Sequence, residues 1–328
     1  MKRILITGCA GFIGFHLAQA LSARGDCVVG LDNFNAYYDP ALKEARARRL
    51  SIPLIRGDIR DQALLSQLLS DHAITHVVHL AAQAGVRHSL LAPHEYTASN
   101  IDGFLSVLEA CRRVPDLKLI FASSSSVYGL NKKIPFSIDD PTDHPANFYG
   151  ATKKANEVMA FAYHHIYGLA VTGLRFFTAY GPWGRPDMAY FRFSDQIMRN
   201  EPISLFNRGD MRRDFTYIDD IVRGILLAVD LGAPHALFNL GNNHPVPLLR
   251  FVELLESALG KTAIKQFLPL QPGEVLETYA DIEHTKQQLG WEPRVPLEEG
   301  ILHFTDWYKS AQRQANAPES SSPSHSTT

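Results

Sequence analysis

Tyr149 and Lys153 stand four positions apart in Phe148-Tyr149-Gly150-Ala151-Thr152-Lys153. On a helix that spacing projects both side chains from one face, so a phenol meets an ammonium. Tyrosine titrates near ~10, and service as a base near pH 7 needs a downward shift of roughly 3 units, equivalent to about 4 kcal/mol of differential stabilisation. An ordinary exposed Tyr–Lys helical pair has the same spacing. Upstream, Ala122-Ser123-Ser124-Ser125-Ser126-Val127-Tyr128-Gly129 gathers hydroxyls behind an apolar run, with Ser124 25 positions before Tyr149. Such a cluster either offers hydrogen bonds at a ligand-binding sheet edge or satisfies its own loop backbone.

A second constellation concerns phosphate. Gly8, Gly11 and Gly14 follow a short apolar run and open a segment in which Ile13, Leu17, Ala20 and Leu21 recur at helical spacing. Glycines in that context let the backbone turn tightly and aim unpaired helix N–H groups at a pyrophosphate, with Phe12 and Ile13 at the same helix start. Asp32 ends the next apolar run, 18 positions after Gly14. A carboxylate there accepts from ribose hydroxyls and repels a 2′-phosphate, which favours NAD over NADP; the same residue also suits capping of the turn at Asn33 and Asn35. Gly57-Asp58-Ile59 and Leu80-Ala81-Ala82-Gln83-Ala84 follow later runs and stand where an adenine and the rest of a dinucleotide would lie, although Asp58 is equally a surface turn residue.

The elements that must hold these residues alternate. Runs at 4–6, 27–31, 53–55, 75–80, 117–121 and 170–174 read as strands separated by helical periods, the pattern of a parallel sheet covered on both faces. The predicted fold class is α/β, a doubly wound parallel sheet with a smaller mixed C-terminal region. After Phe176 prolines break the pattern, and a helix near 220–230 is free to return to the sheet. The expected division is 1–175 for the dinucleotide, 176–312 for the substrate with partial interleaving, and a disordered tail at 313–328. Lys and Arg number 32 against 34 Asp and Glu, so no global field points to nucleic acid or to a membrane surface, and an anionic ligand needs local arginines. Cys9, Cys27 and Cys111 form no C-x-x-C or disulfide framework, and no apolar run reaches membrane-spanning length, so a cytoplasmic protein is expected. Among the 14 histidines, His164-His165 diverge on a helix and no H-E-x-x-H occurs, so no metal site is expected.

The glycine loop, Ser124, Tyr149 and Lys153 together resemble the extended short-chain dehydrogenase/reductase superfamily. Segments 81–87, 174–188 and 209–220 are similar to its UDP-glucuronate 4-epimerases, and the similarity runs from residue 1 to about 308. The resemblance implies a Rossmann-type fold, NAD as cofactor, and interconversion of UDP-glucuronate and UDP-galacturonate through a 4-keto sugar without net oxidation. It implies that Tyr149 takes the 4-hydroxyl proton while Ser124 binds the same oxygen, and it adds Phe176 to the NAD site. For the substrate it implies Arg213 at the pyrophosphate with Arg87 as a helper, Gly85 and Val86 among the substrate-binding residues, Phe206 on uracil, Glu274 at the uridine ribose, and Thr178 with Arg185 at the uronate carboxylate. Related decarboxylases carry an acid matching Ser126, and 4,6-dehydratases carry Asp-Glu matching Ser125 and Ser126; hydroxyls here imply that the carboxyl group is kept. A homodimer through helices near 100–111 and 149–167 is implied too, although packing on the sheet explains the same apolar faces. A decarboxylase, a UDP-glucose 4-epimerase and a non-catalytic NAD sensor are the competing readings.

Overall fold

Alternation within each strand decides the architecture. Ile4, Ile6, Val78, Ile120 and Leu174 fall in one apolar cluster, whereas Leu5, Val29, Val77, Leu119, Phe121 and Val171 fall in another, so successive side chains of one strand enter opposite faces of one sheet. The computed structural model describes residues 1–270 and 275–315. Its strands are β1 (Arg3–Thr7), β2 (Cys27–Asp32), β3 (Leu54–Arg56), β4 (His76–His79), β5 (Lys118–Ser124), β6 (Ala170–Phe176), β7 (Thr178–Tyr180), β8 (Pro202–Leu205), β9 (Arg212–Tyr217), β10 (His235–Leu240), β11 (Pro245–Pro247) and β12 (Ile264–Phe267). The main sheet has seven strands in the order β10-β6-β5-β4-β1-β2-β3, all paired in parallel. Chain direction across the sheet reverses between β1 and β4, where Thr7 pairs with His79, and open parallel sheets take ligands outside such a point.

Helices Phe12–Ala23 and Ile218–Leu231 pack together over the first face, contributing Leu17, Leu21, Ile221 and Ile225. Gln62–Asp71, Gly103–Cys111 and Phe148–Tyr167 cover the second through Leu65, Leu68, Val107, Leu108 and Ala160. The helix near 220–230 thus does return to the sheet, and β10 returns with it as a seventh strand beside the six read from the sequence. Only its last three residues are buried, with His235 exposed and Ala236 and Leu237 half-buried, and an edge position asks for less continuous apolarity than a central strand. The remaining strands form a three-stranded sheet, β11-β9-β7, and a parallel pair, β12-β8. The last helix, Leu297–Ala315, runs through the first three positions expected for the tail; 316–328 lie outside the described residues.

Candidate active site

The glycine loop is built backbone against backbone. Gly8 has φ +71, and a Cβ there would stand 2.7 Å from the Ala81 nitrogen and 2.8 Å from the Ala81 Cα, so the turn after β1 lies directly on the segment after β4. A Cβ at Gly14 would run into the Gly8 carbonyl oxygen. Helix Phe12–Ala23 starts at Gly11 with no side-chain cap and no acid in its first turn, which leaves its N–H groups for an anion. Asp32 accepts from the Ala10 nitrogen at 3.0 Å and the Phe34 nitrogen at 2.8 Å. It therefore caps the following turn and braces the loop, and an ionised carboxylate still has lone pairs for ribose hydroxyls. Asp58 accepts from Arg60 and, at 3.1 Å, from Asn33. The Arg60 hydrogen bonds, opposed by partial burial and helped by Asn33, draw its pKa down to about 2. These groups line a cavity of about 380 Å³.

Tyr149 enters the same cavity from the first turn of helix Phe148–Tyr167, which Asn147 caps by accepting from the Gly150 nitrogen at 2.9 Å. Lys153 donates to the Ala122 carbonyl at 3.0 Å, and burial pulls its pKa down to about 8. Burial raises the Tyr149 pKa, and the Ser124 hydrogen bond and nearby Arg185 offset only part of that rise. The expected downward shift is thus not made by the protein groups, because desolvation of the phenolate outweighs them. Ser124 Oγ accepts from the Ser126 nitrogen at 3.2 Å, so the serine cluster both ties its own loop and lines the cavity. Beneath it, Ser123 donates to Glu157 at 2.6 Å, and Glu157 is held in a buried ion pair by Arg175 at 2.8 Å. Glu157 is one turn beyond Lys153, so this network fixes helix Phe148–Tyr167 against the end of β5. Asn100, on the π-helix Thr97–Asp102, accepts from the Gln83 nitrogen at 2.8 Å and donates to Thr152 at 3.0 Å, tying the segment after β4 to the same helix.

A second cavity, of about 460 Å³, shares Tyr37, Gly85, Val86, Thr178 and Met188 with the first. Arg87, Phe206 and Arg213 line it, with the Arg87 guanidinium 4.4 Å from the centre of the Phe206 ring. Arg213 donates to the carbonyls of Arg212 and Leu276 at 2.9 and 3.0 Å. Arg185 reaches the first cavity beside Tyr149 and Ser124, where its fork is engaged by Asp187.

All sixteen cofactor positions expected from sequence, from Gly8 to Phe176, line the first cavity. Ser124, Ser125, Ser126, Thr178 and Arg185 do as well, and Arg87, Phe206 and Arg213 line the second. Glu274 lies outside the described residues. Sequence reading missed Lys43, which lines the first cavity, donates to Asn35 and is electrostatically coupled to Asp32. It missed Tyr37, Asp187 and Arg192 too. Asp187 sits inside a segment that carried the resemblance, but nothing in spacing shows which arginine it faces. Arg46 was also missed: it is fully buried and donates to the Ala10, Trp183 and Gly184 carbonyls, joining the glycine loop to the Arg185 loop.

Residues 4–241 match the sequence profile of the NAD dependent epimerase/dehydratase family. The chain is 49% identical over 328 residues to UDP-glucuronate 4-epimerase 1 of Arabidopsis thaliana, covering 94% of this chain and 76% of the relative. It superposes with a TM-score of 0.90 on UDP-glucuronic acid 4-epimerase from Bacillus cereus in complex with UDP-glucuronic acid and NAD, at 38% identity over 94% of this chain and 100% of that one. UDP-glucose 4-epimerase of Thermotoga maritima with UDP-glucose is similar at 31% identity and a TM-score of 0.88, over 95% of this chain and 100% of that one.

Proposed function

The chain belongs to the NAD dependent epimerase/dehydratase family, and on that premise we propose that it is a UDP-glucuronate 4-epimerase, interconverting UDP-glucuronate and UDP-galacturonate. The observation that carries the reading is the company Tyr149 keeps: it lines one cavity together with the glycine loop, Ser124 and Arg185. The cradle fits a dinucleotide, because backbone crowding at Gly8 and Gly14, the uncapped helix start and Asp32 match a pyrophosphate and a ribose.

When bound, NAD accepts and returns the C4 hydride and, through its positive ring, supplies the attraction that brings Tyr149 into its working range. Tyr149 takes the proton of the sugar 4-hydroxyl, and Ser124 donates to the same oxygen as it becomes a carbonyl. Lys153, fixed on the Ala122 carbonyl, keeps a positive charge beside the phenol. The 4-keto sugar turns its other face to the cofactor, Tyr149 returns the proton, and C4 leaves inverted. Arg213 and Arg87 hold the diphosphate, Phe206 the uracil, and Thr178 with Arg185 the C5 carboxylate, for which a guanidinium fork is suited. Hydroxyls at Ser125 and Ser126 hydrogen-bond that carboxylate where an acid would repel it, so CO₂ is retained. A UDP-glucose epimerase would leave Arg185 without an anionic partner on the sugar. NMR of the sugar after incubation with UDP-glucuronate tests the reading: UDP-galacturonate is expected, and UDP-xylose or unchanged substrate overturns it.

The functional division is 1–175 for NAD and 176–312 for the nucleotide sugar, interleaved through β10 and helix Ile218–Leu231. The working unit is a homodimer, supported by exposed Leu105, Val158, Phe161 and Ile166 on helices Gly103–Cys111 and Phe148–Tyr167. Size-exclusion chromatography with light scattering tests it, with a monomeric mass as the contrary result. A cytoplasmic setting is supported by three free cysteines; no helix among the described residues is long and apolar enough to cross a membrane.

A further inference from the structure

Arg185 reaches the sugar end of the cavity with one bidentate edge of its guanidinium, Nε with Nη2, already filled. Its Nε donates to Asp187 Oδ1 at 3.0 Å and its Nη2 to Oδ2 at 2.5 Å, while the Tyr37 hydroxyl donates to the same Oδ2 at 3.1 Å. The Arg185 and Asp187 side chains are only 22% and 27% exposed, so charges interact there more strongly than in water. A second carboxylate arriving at Arg185 meets both a filled bidentate edge and a like charge. The backbone beside the pair is pinned: Arg46 donates to the Trp183 and Gly184 carbonyls, and helix Ala189–Met198 begins directly after Met188. What can change at low cost is the pairing of side chains, and Tyr37, which already donates to Asp187, keeps a donor on that carboxylate when Arg185 leaves it.

Resting on the uronate reading above, we propose that Asp187 is a specificity-determining exchange partner: it holds the Arg185 fork in the free enzyme and yields it to the substrate C5 carboxylate, retreating onto the Tyr37 hydroxyl. An anionic sugar replaces what Arg185 loses in the exchange. A neutral hydroxymethyl group offers nothing in return for the edge that Asp187 holds, which is discrimination by an internal competitor. On release, Asp187 retakes the fork and displaces the product carboxylate.

Calorimetric binding of UDP-glucuronate and of UDP-glucose to the NAD-loaded enzyme tests this. Asp187→Asn keeps one acceptor for Arg185 but removes the competing charge; it is expected to tighten UDP-glucuronate roughly tenfold and leave UDP-glucose unchanged. Tyr37→Phe removes the alternative donor and is expected to shift the ratio of the two affinities the other way, by roughly threefold against UDP-glucuronate. A residue that merely holds Arg185 in place would weaken UDP-glucuronate when changed to Asn, so a ratio that falls or stays level in Asp187→Asn overturns the proposal. Should that variant not melt cooperatively, Tyr37→Phe decides alone, and an unmoved or opposite ratio overturns it. Failure of the underlying reading shows separately, in the unmodified enzyme, as absence of UDP-galacturonate together with no preference for the uronate; that result removes the proposal's premise.

Discussion

The glycine loop and the arginine-bearing wall adjoin through shared residues, yet they are made differently. Around Gly8 to Gly14 the chemistry lies in the main chain: N–H groups at a helix start, a backbone crossing with no room for a Cβ, and Asp32 already bonded to two backbone nitrogens. Around Arg87, Arg185 and Arg213 it lies in long side chains that combine near partners, as Asp187 for Arg185, with contacts from distant segments, as Phe206 under Arg87 and Tyr37 beside Asp187. The first arrangement is preorganised for a ligand that stays through the cycle. The second suits a ligand that must enter, turn its sugar and leave. Tyr149 stands between them, and changes on either side should act on different quantities.

The largest effect is expected where the regions meet. Tyr149→Phe removes the proposed proton acceptor and should lower turnover by roughly 10³–10⁴-fold with little change in UDP-glucuronate affinity. Single-turnover kinetics with calorimetry separates the two, and a loss of affinity equal to the loss of rate would mean that the phenol binds sugar and does no proton transfer. Next comes Gly8→Ala. At φ +71, with backbone 2.7 Å from the new Cβ, it should cost roughly 2–4 kcal/mol and strip NAD from the purified protein. Thermal melts and the cofactor content of the purified protein check this; normal NAD retention would show that the cofactor side is less rigid than the comparison requires.

The same contrast explains what could be read in advance. The glycine spacing, Asp32 and the Tyr149–Lys153 pair are local patterns, because a turn or a helix fixes their geometry within a few residues. The central strands were legible through their apolar runs, while β10 was not, since an edge strand that is buried only over its last three residues loses that signal. Lys43 and Arg46 gave no sign: Arg46 meets the Ala10 and Trp183 carbonyls only after distant segments have packed, and a buried cation hydrogen-bonded to carbonyl oxygens looks in sequence like any surface lysine or arginine. Asp187 was in view, but its pairing with Arg185 and Tyr37 is a property of the folded loop.

Lys153 sharpens the comparison from the stability side. An unfolded lysine titrates near ~10.4, whereas burial holds Lys153 at about 8. Between those values the unfolded chain binds more protons, so the enzyme should gain stability as pH rises across that window, and below about pH 8 it carries the full cost of a buried ammonium. Lys153→Met should therefore be more stable by at most roughly 3 kcal/mol below pH 8, less the lost bond to the Ala122 carbonyl, with the gain vanishing toward pH 10.5. Activity should fall by roughly 100-fold or more. Denaturant titrations at pH 7 and pH 10 check the sign; equal gains at both would place the cost in packing and not in charge.

The smallest effect should come from Arg87. Its guanidinium stacks on Phe206 in the second cavity, the proposed nucleotide end, and a cation–π contact of that kind contributes about 0.5–2 kcal/mol. Arg87→Ala should raise KM roughly threefold to tenfold while leaving kcat alone, since binding of ground and transition states is weakened equally. The loss should be the same for UDP-glucuronate and UDP-glucose, because both carry the group that Arg87 serves. That equality separates it from Asp187→Asn, which should move only the uronate. If Arg87→Ala changed the preference between the two sugars, the nucleotide and sugar ends of the arginine wall would be coupled, and the wall would have to be treated as one preorganised surface like the glycine loop opposite it.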